Sequence, residues 1–479
     1  MMNRHFLAIS LFFVASAMQA EVKLPDLISD NMVLQQATDV CLWGEAKPGS
    51  TVTIQASWSN GSWTTLAGSD GRWQTSITTP SASFSPYTLI IGDGDGEPRT
   101  LHNVLVGEVW FCSGQSNMEM PLNGFWNCPI DDANNTIADA PNHPAIRMAT
   151  IVRKGALVPQ EYAEGSWKLP VPENAQWFSA TGYHYALALQ RTLQVPVGII
   201  NCSWGGSRVE GWLPKEILQT YEDEDLSKAG DKNYTEMLQP MIMYNGLLYP
   251  CHKYTIRGFA WYQGCSNVGH ADTYASRLAT MVAHWRELWG EGELPFYYVE
   301  IAPYAYDGKA DGINGALLRE AQFDAQALIP NSAMVCTNDL VKPYEAPQIH
   351  PANKRQVGER LAYQALSKTY GYKGIVADSP YYKGMEIKGD TVEVEFANAR
   401  EGFSPWIDIC GFELAGSDGQ FYPAEAWLDS GTMRIQVRSA KVASPVAVRY
   451  GFRNFLPGNL KNHRNLPVIP FRSDKEKNR

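Results

Sequence analysis

A short polar turn that follows an apolar run is the feature of this sequence best suited to chemistry. The run Val104–Trp110 predicts a buried strand, and the segment Phe111–Met120, which reads FCSGQSNMEM, leaves it through a Ser-Gly-Gln-Ser turn. Ligands of open α/β sheets bind at the carboxyl ends of the strands, and Ser116 stands at such an end. A serine hydroxyl held there can be the nucleophile of an acyl transfer if a base lies beside it. A serine that only caps the next helix is the simpler interpretation.

A base for Ser116 is the next requirement, and histidine is the usual one. Of the nine histidines, His350 has the clearest placement, because Ile349-His350-Pro351 directly precedes the last predicted helix of the α/β region. Proline suits the first position of a helix, so we expect His350 in a fixed loop that follows the last strand. That loop lies at the same sheet edge as Ser116. A surface histidine that caps the helix is the alternative, and His143, also followed by proline, competes on local grounds.

A carboxylate that orients the histidine is expected after the last strand. Asp339 ends the run Met334–Asp339, whereas Glu345 lies closer to His350 along the chain. We favour Asp339, because the end of a strand is a more rigid mount than a loop. An aspartate at a strand end is also common as a cap, so the choice between the two carboxylates stays open.

Two further loops could supply hydrogen-bond donors for the oxyanion of a tetrahedral intermediate. Asn201–Ser207 follows a strand and contains two adjacent glycines, which let a backbone N–H approach a ligand closely. Trp261–Asn267 follows another strand and carries two side-chain amides. Either loop alone could be an ordinary turn between a strand and a helix. Together with the serine and histidine loops, they supply every role that acyl transfer needs.

The elements that must hold these loops divide the chain into three parts. Residues 21–103 contain short strand-like runs between turn clusters, which predicts a β-sandwich module. Residues 104–370 alternate apolar strands with helices, which predicts a parallel sheet covered by helices on both faces. Residues 371–479 return to a β pattern. The predicted strands of the middle part are Val104–Phe111, Ala145–Ile151, Val195–Cys202, Ile256–Tyr262, Pro295–Ile301 and Ser332–Asn338, and its predicted helices are Ala175–Leu193, Tyr234–Tyr249, Ala271–Trp289, Ala316–Leu328 and Lys354–Tyr370.

The segment Met1–Ala20 has the pattern of a secretory signal, because Arg4 and His5 precede an apolar run that is too short to span a bilayer. We therefore expect an exported protein, periplasmic or secreted, with no membrane segment in its mature form. The net charge of −10 and the lack of a basic run beyond Lys475–Arg479 argue against nucleic acid as a partner. The eight cysteines form no CxxC pair, so no structural metal is expected, and their pairing stays open.

With these residues assembled, the sequence resembles the sialate O-acetylesterase type of the SGNH hydrolase superfamily over nearly the whole chain after the leader. The stretches that carry the resemblance are Asp30–Gln35, Val106–Met118, Trp204–Trp212, Trp261–Gly264, Asp339, Ile349–Pro351 with Lys354, Gly358 and Arg360, Val448–Gly451 and Pro470–Asp474. The resemblance implies an α/β fold of the SGNH, flavodoxin-like kind, in which a three-layer parallel sheet is flanked by N- and C-terminal β-sandwich-like regions. The implied domains are residues 21–103, 104–370 and 371–479.

The resemblance also implies the roles of the site residues. Ser116 is the expected nucleophile, His350 the general base and Asp339 the carboxylate that orients it. The expected oxyanion donors, beside the N–H of Ser116, are Gly206, Gln263 and, in reserve, Asn267. No cofactor and no metal are implied.

Two positions depart from the family pattern. Many members of the superfamily carry an aspartate three residues before the histidine, where this chain has Pro347. A Ser-His dyad assisted by a backbone carbonyl therefore stays open beside a triad with Asp339 or Glu345. Relatives usually have Gly-Glu-Ser-Asn where this chain has Gly264-Cys265-Ser266-Asn267, and the lost carboxylate bears on substrate specificity or on the charge of the site.

The expected function is that of an exported serine esterase that removes O-acetyl groups from carbohydrates through an acyl-enzyme on Ser116. Acetylated sialic acid is the first expected substrate, and acetylated xylan or another polysaccharide is close behind. A carbohydrate-binding protein with an inactive α/β site is the alternative from a different class. The intact pair of Ser116 and His350 argues against that alternative.

Overall fold

The strands of the first part of the chain lead directly into the central sheet. The computed structural model describes residues 22–475, and the predicted signal Met1–Ala20 lies outside the described residues. The first strands are β1 (Val33–Gln35), β2 (Asp39–Glu45), β3 (Thr51–Ala56), β4 (Ser62–Leu66), β5 (Arg72–Thr78), β6 (Ser83–Gly92) and β7 (Arg99–Gly114). β2 and β5 form an antiparallel pair, while β3, β4 and β6 join the N-terminal half of β7. β7 therefore runs through the boundary that the sequence predicts between residues 103 and 104.

The middle part of the chain holds the central sheet and its helices. Its elements in chain order are α1 (Ser116–Glu119), α2 (Ala133–Asp139), β8 (Ile146–Thr150), β9 (Trp167–Lys168), α3 (Pro172–Ala175), α4 (Ala180–Leu193), β10 (Val197–Ser203), α5 (Lys215–Leu218), β11 (Gly258–Tyr262), α6 (Ala271–Trp289), β12 (Phe296–Val299), α7 (Asn314–Ala325), β13 (Ser332–Val335) and α8 (Arg355–Gln364). The sheet order is β13-β12-β11-β7-β10-β8-β9, and every neighbouring pair is parallel except β8 and β9. The prediction of a mixed α/β fold around a mostly parallel sheet is confirmed.

Alternate residues of β7 pack on opposite faces of this sheet, as the period of a strand requires. Val109 and Phe111 belong to one buried cluster that includes Trp285 of α6. Trp110 and Cys112 belong to a second cluster, which includes the buried residues of α4 and α8. Helices therefore cover both faces, which explains why β7 is buried along its whole C-terminal half.

One predicted helix does not form. The segment Tyr234–Tyr249 is not one continuous helix: it has a 3₁₀ turn at Glu236–Leu238 and a short helical stretch from Ile242 that is π-helical over Tyr244–Leu248. Pro240 lies between the 3₁₀ turn and this stretch, where it lacks the N–H that a continuous helix needs and where its ring would clash with the preceding turn. The other predicted helices form with ends shifted by a few residues.

The C-terminal part consists of small antiparallel sheets with a core of their own. Its strands are β14 (Tyr381–Lys388), β15 (Thr391–Ala397), β16 (Phe403–Ser404), β17 (Phe412–Ala415), β18 (Phe421–Pro423), β19 (Glu425–Asp429), β20 (Arg434–Arg438), β21 (Ala447–Tyr450), β22 (Lys461–Asn462) and β23 (Phe471–Arg472). The buried side chain of Arg319 on α7 fastens this part to the central sheet, because it donates to Gly451 O at 3.2 Å and to Arg453 O at 2.6 Å. Within residues 22–475, no helix combines the length and the apolar character needed to cross a bilayer.

The contact between α4 and α8 depends on the missing side chain of Gly358. A Cβ at this position would lie 2.6 Å from both Thr181 O and Tyr185 N. We expect Gly358→Ala to lower the free energy of unfolding by about 1–3 kcal/mol, because the two helices would have to separate. Urea denaturation measures this change. Gly374→Ala is the matched control, because a Cβ there meets nothing within 4 Å, and equal effects of the two variants would contradict the packing argument.

Candidate active site

Ser116 leaves the central sheet through a turn that requires glycine. Gly114 has a φ of +136°, and a Cβ on it would lie 2.3 Å from Tyr262 O. The next residue ties the turn to β11, because Gln115 N donates to Tyr262 O at 2.9 Å and Gln115 Oε1 accepts a hydrogen bond from Gly264 N at 2.8 Å. The half-buried Ser116 is therefore mounted at the carboxyl edge of the sheet.

His350 meets Ser116 at this edge. His350 Nε2 lies 2.8 Å from Ser116 Oγ, although 234 positions separate the two residues in the chain. The neighbouring backbone supports the contact, because Asn117 Nδ2 donates to Ile349 O at 3.0 Å. The structure thus brings together the two residues that the sequence proposes as nucleophile and base.

The loop that carries His350 is closed by a buried carboxylate. Glu345 accepts a hydrogen bond from Lys342 N at 2.7 Å and another from Ala352 N at 2.9 Å, one on each of its oxygens. These two bonds join the ends of the loop around the histidine. Glu345 therefore fixes the backbone of the loop, whereas the imidazole itself has other partners.

The surroundings keep His350 uncharged. Burial is the main cause that lowers the pKa of His350 to about 4, and the positive charge of Lys354 adds to it. The Lys354 amine is itself buried and donates to Pro351 O. Burial lowers the pKa of this amine to about 7. At neutral pH the imidazole is therefore free to accept the proton of the Ser116 hydroxyl.

Asp339 does not orient His350 in the structure, so the expectation of a triad through this residue needs correction. Both of its oxygens are bound by Arg360 of α8, at 2.7 Å each, and Lys461 of β22 lies 2.7 Å away. Burial alone would raise the pKa of Asp339, but hydrogen bonds and charge from Arg360 and Lys461 hold it below its ordinary value. Two cations hold this carboxylate more strongly than a neutral imidazole could, so Asp339 joins the helix to the C-terminal part.

A thiol faces the second nitrogen of His350. Cys128 Sγ lies 3.9 Å from His350 Nδ1, and Gln348 Nε2 donates to the same sulfur at 3.3 Å. The ring of Phe125 packs edge-on against the imidazole, with 5.2 Å between the ring centroids. No motif or spacing in the sequence points to Cys128, because its turn lies far along the chain from the histidine loop. The geometry is that of a Ser-His dyad with sulfur where a triad has a carboxylate.

The two-glycine loop after β10 packs directly against Ser116. A Cβ on Gly205 would lie 3.3 Å from Ser116 Cβ, and Gly205 N donates to the partly buried carboxylate of Glu119 at 2.7 Å. Gly206 has a φ of +79°, which favours glycine. Among residues 22–475, no acceptor is found for the N–H of Gly206 or of Ser116. These two N–H groups are therefore available to a ligand, and Glu119, which sequence reasoning missed, positions the loop.

Gln263 and Asn267 do not offer free amides, which corrects the expectation that they are oxyanion donors. Gln263 Nε2 donates to Ser207 O at 2.9 Å and to Asn267 Oδ1 at 2.8 Å, and its amide oxygen accepts from the Tyr274 hydroxyl. Asn267 Nδ2 donates to the carboxylate of Glu210 at 3.0 Å. Both side chains are fully buried. Their amides join the loop after β11 to the two-glycine loop after β10.

Within the described part of the chain, no group of three or more histidine, cysteine, aspartate or glutamate side chains is arranged to hold a metal ion. The chemistry that the described residues can perform at Ser116 rests on a hydroxyl, a neutral imidazole in contact with it, and two unoccupied N–H donors.

The chain is similar to known acetylesterases. The family model described as "Carbohydrate esterase, sialic acid-specific acetylesterase" matches residues 106–367. The sialate O-acetylesterase of Homo sapiens is 26% identical over 400 residues, which cover 75% of this chain and 73% of that protein. The sialate O-acetylesterase of Mus musculus is 25% identical over 485 residues, which cover 89% and 88% respectively.

Among solved structures, a carbohydrate acetylesterase from Xanthomonas citri is similar to this chain over most of its length. The two are 33% identical, with a TM-score of 0.82, and the match covers 95% of this chain and 100% of the other. The similarity therefore includes the flanking β regions as well as the central sheet.

The low pKa of His350 predicts an unusual pH profile for ester hydrolysis. The base loses activity only when it is protonated, so we expect the acid limb of kcat/KM near pH 4 instead of near the ordinary histidine value of about 6.5. Initial rates with 4-nitrophenyl acetate from about pH 3.5 to 8, with circular dichroism to verify folding at each pH, measure the limb. A limb at the ordinary value would show that the imidazole is not shielded as the structure indicates.

Asp339→Asn should separate a structural role from a catalytic one. We expect the free energy of unfolding to fall by about 3 kcal/mol, because Arg360 and Lys461 lose a buried partner. The lowered pKa of Asp339 means that this stabilisation is present at neutral pH and is lost on acidification. In the folded variant, kcat should stay within about threefold of wild type, whereas loss of a triad carboxylate costs about 10⁴.

Urea denaturation and steady-state kinetics on the same preparation provide the two readouts for Asp339→Asn. Asp378→Asn is the control, because Asp378 pairs with Lys368 at an exposed position and should change neither quantity. A thousandfold loss of kcat with unchanged stability would restore Asp339 to the triad.

Proposed function

The chain belongs to the carbohydrate esterase family of sialic acid-specific acetylesterases and is a carboxylic ester hydrolase. From this premise we propose that it is a serine esterase that removes O-acetyl groups from carbohydrates through an acyl-enzyme on Ser116. The observation that carries the proposal is the 2.8 Å contact between Ser116 Oγ and His350 Nε2 at the carboxyl edge of the central sheet. A binding protein has no need for a neutral imidazole held against a hydroxyl.

The acylation step uses both members of the pair. His350 Nε2 takes the hydroxyl proton while Ser116 Oγ forms a bond to the acetyl carbonyl carbon. The tetrahedral intermediate collapses when the bond to the sugar oxygen breaks, and the imidazolium of His350 gives its proton to that oxygen. The products are a free sugar hydroxyl and acetyl-Ser116.

Deacylation repeats the sequence with water. His350 takes a proton from the water that attacks acetyl-Ser116, and then returns it to Ser116 Oγ as acetate leaves. The N–H groups of Ser116 and Gly206 hold the oxyanion in both steps, which makes Gly206 the surviving member of the predicted donors. Each such donor contributes roughly 10²–10³ in rate.

The proposed site differs from a Ser-His-Asp triad in the group that faces the second nitrogen of the histidine. Cys128 Sγ, 3.9 Å from His350 Nδ1, is the polar atom at the position where a carboxylate would orient the ring. A sulfur accepts hydrogen bonds only weakly, so Cys128 stabilises a charged imidazolium much less than a carboxylate would, and the Phe125 ring helps to position the imidazole by packing against it. The dyad left open by Pro347 is therefore the form that we propose.

O-acetylated sialic acid is the first proposed substrate, in line with the matched family and with the mammalian relatives. Acetylated xylan or another acetylated polysaccharide is the second candidate, because the solved relative with 33% identity is described by the wider term carbohydrate acetylesterase. Both substrates present the same acetyl ester to Ser116, so the choice between them concerns binding of the sugar and leaves the chemistry unchanged.

We also propose the SGNH type of α/β fold for residues 104–370, flanked by β domains over 21–103 and 371–479. The parallel sheet with helices on both faces supports the first assignment, and the separate core of the C-terminal strands supports the last. Export to the periplasm or the medium is proposed on the pattern of Met1–Ala20.

The substitution Ser116→Ala tests the proposal. Wild type should release acetate from O-acetylated sialic acid, from acetylated xylo-oligosaccharides or from both, and the variant should lose at least about 10³ in kcat/KM. Ser113→Ala is the matched control, because the Ser113 hydroxyl lies three residues earlier and donates to Cys202 O at 2.6 Å, inside the sheet. That variant should keep its activity. Acetate release by Ser116→Ala within tenfold of wild type would refute the serine mechanism.

A further inference from the structure

An exposed tryptophan stands beside the proposed catalytic pair. Trp126 is 89% exposed, the highest value for a large apolar side chain among residues 22–475. Both ends of its turn touch the imidazole: the Phe125 ring packs on it, and Cys128 Sγ faces Nδ1. Trp126 therefore lies one residue from a side chain that contacts His350, while most of its own indole faces solvent.

The turn that carries this indole is rigid. Phe125 N donates to Cys128 O at 3.0 Å, and Cys128 N donates to Phe125 O at 2.9 Å. Asn127 has a φ of +59°, the left-handed conformation that the third position of a type II turn needs. Gln348 Nε2 also donates to Asn127 O at 2.6 Å and so joins the turn to the histidine loop. A ring on a fixed mount can bind a ligand without ordering a loop first.

A second exposed indole lies on the adjoining segment. Trp177 is 59% exposed and lines a cavity of about 450 Å³. Its segment pairs with the chain that enters the Trp126 turn, because Asn123 N donates to Gln176 O and Leu122 N donates to Phe178 O, both at 2.9 Å. Two exposed tryptophans therefore occupy neighbouring, hydrogen-bonded segments: Trp126 adjoins His350, and Trp177 lies toward the β8 and β9 edge of the sheet.

We propose that Trp126 and Trp177 form a stacking platform for the pyranose rings of a carbohydrate chain, with the acetylated ring seated at Ser116. This inference rests on the proposed function and adds that the substrate is an oligosaccharide or polysaccharide. A pyranose offers a face of C–H groups, which packs on the negative face of an indole without needing charge. The ring next to the acetylated one lies over Trp126, and the following part of the chain runs toward Trp177 and its cavity.

The platform predicts that the length of the substrate matters through these two residues. Wild type should hydrolyse an acetylated chain faster than the matching acetylated monosaccharide. The pairs to use are O-acetylated sialyllactose with O-acetylated sialic acid, and acetylated xylotetraose with acetylated xylose. Trp126→Ala should lower kcat/KM for the chain roughly tenfold, mainly through KM, which is the size of one lost aromatic contact. Trp177→Ala should also lower kcat/KM for the chain.

Two readouts separate binding from damage to the site. Hydrolysis of 4-nitrophenyl acetate and of the acetylated monosaccharide should stay within about twofold for both variants, because neither substrate reaches the platform. Trp406→Ala is the control, because Trp406 is 69% exposed but lies in the C-terminal part. It should change none of the rates.

Failure of the platform and failure of the proposed function give different results. If Trp126→Ala and Trp177→Ala match Trp406→Ala on chains that wild type hydrolyses, or if wild type treats chain and monosaccharide alike, the platform is wrong and the proposed esterase stands. If wild type cleaves 4-nitrophenyl acetate but no acetylated sugar, the proposed function loses its carbohydrate substrate and the platform is overturned with it.

Discussion

The hydrogen bond between Ser116 Oγ and His350 Nε2, 2.8 Å long, joins loops that follow two strands at different positions in the sheet. Ser116 follows β7 in the middle, and His350 follows β13 at the edge, so the histidine loop must reach back across β12 and β11. Interactions within the serine loop or within the histidine loop alone could not maintain this hydrogen bond. It depends on the parallel sheet that puts both loops at one edge and on the polar side chains that fix the loops there.

Those side chains act through buried hydrogen bonds to the backbone. Asn117 donates to Ile349 O, Glu345 closes the histidine loop, and Gln263 and Asn267 join the loops that follow β10 and β11. Each bond contributes about 0.5–1.5 kcal/mol net, but leaving one of the partners buried without a bond costs more. Breaking any one of these hydrogen bonds would leave a buried polar group unpaired, and this cost keeps the loops of the site rigid. The same burial keeps His350 neutral, which suits the general base that we propose in a dyad without a carboxylate.

The sequence predicted what depends on order along the chain. Apolar runs that alternate with helices indicated the parallel sheet, and the edge rule then placed Ser116 and His350 together. The sequence did not predict which side chains pair when they lie far apart along the chain. The position of Asp339 at a strand end predicts that it orients His350, but in the structure it pairs with Arg360 and Lys461. The loop of Gln263 predicts an oxyanion donor, but the amide of Gln263 already donates to acceptors of the protein.

Other residues carried no readable signal. Glu119 lies in the serine motif, yet its role comes from Gly205, which is 86 positions away, and Cys128 meets His350 from 222 positions away. The helix predicted over Tyr234–Tyr249 failed for a reason visible in the sequence, since Pro240 interrupts it. The apolar periodicity of the segment predicts a helix, but the proline prevents a continuous one.

The most direct test of the account is to trap the acyl-enzyme. Wild type is mixed with 4-nitrophenyl acetate, quenched in acid within milliseconds and digested, and the peptides are analysed by mass spectrometry. We expect one acetyl group on the peptide that contains Ser116, formed with a burst of 4-nitrophenol. An acetyl group on Cys128 or Lys354 instead, or turnover with no acetylated peptide, would contradict it.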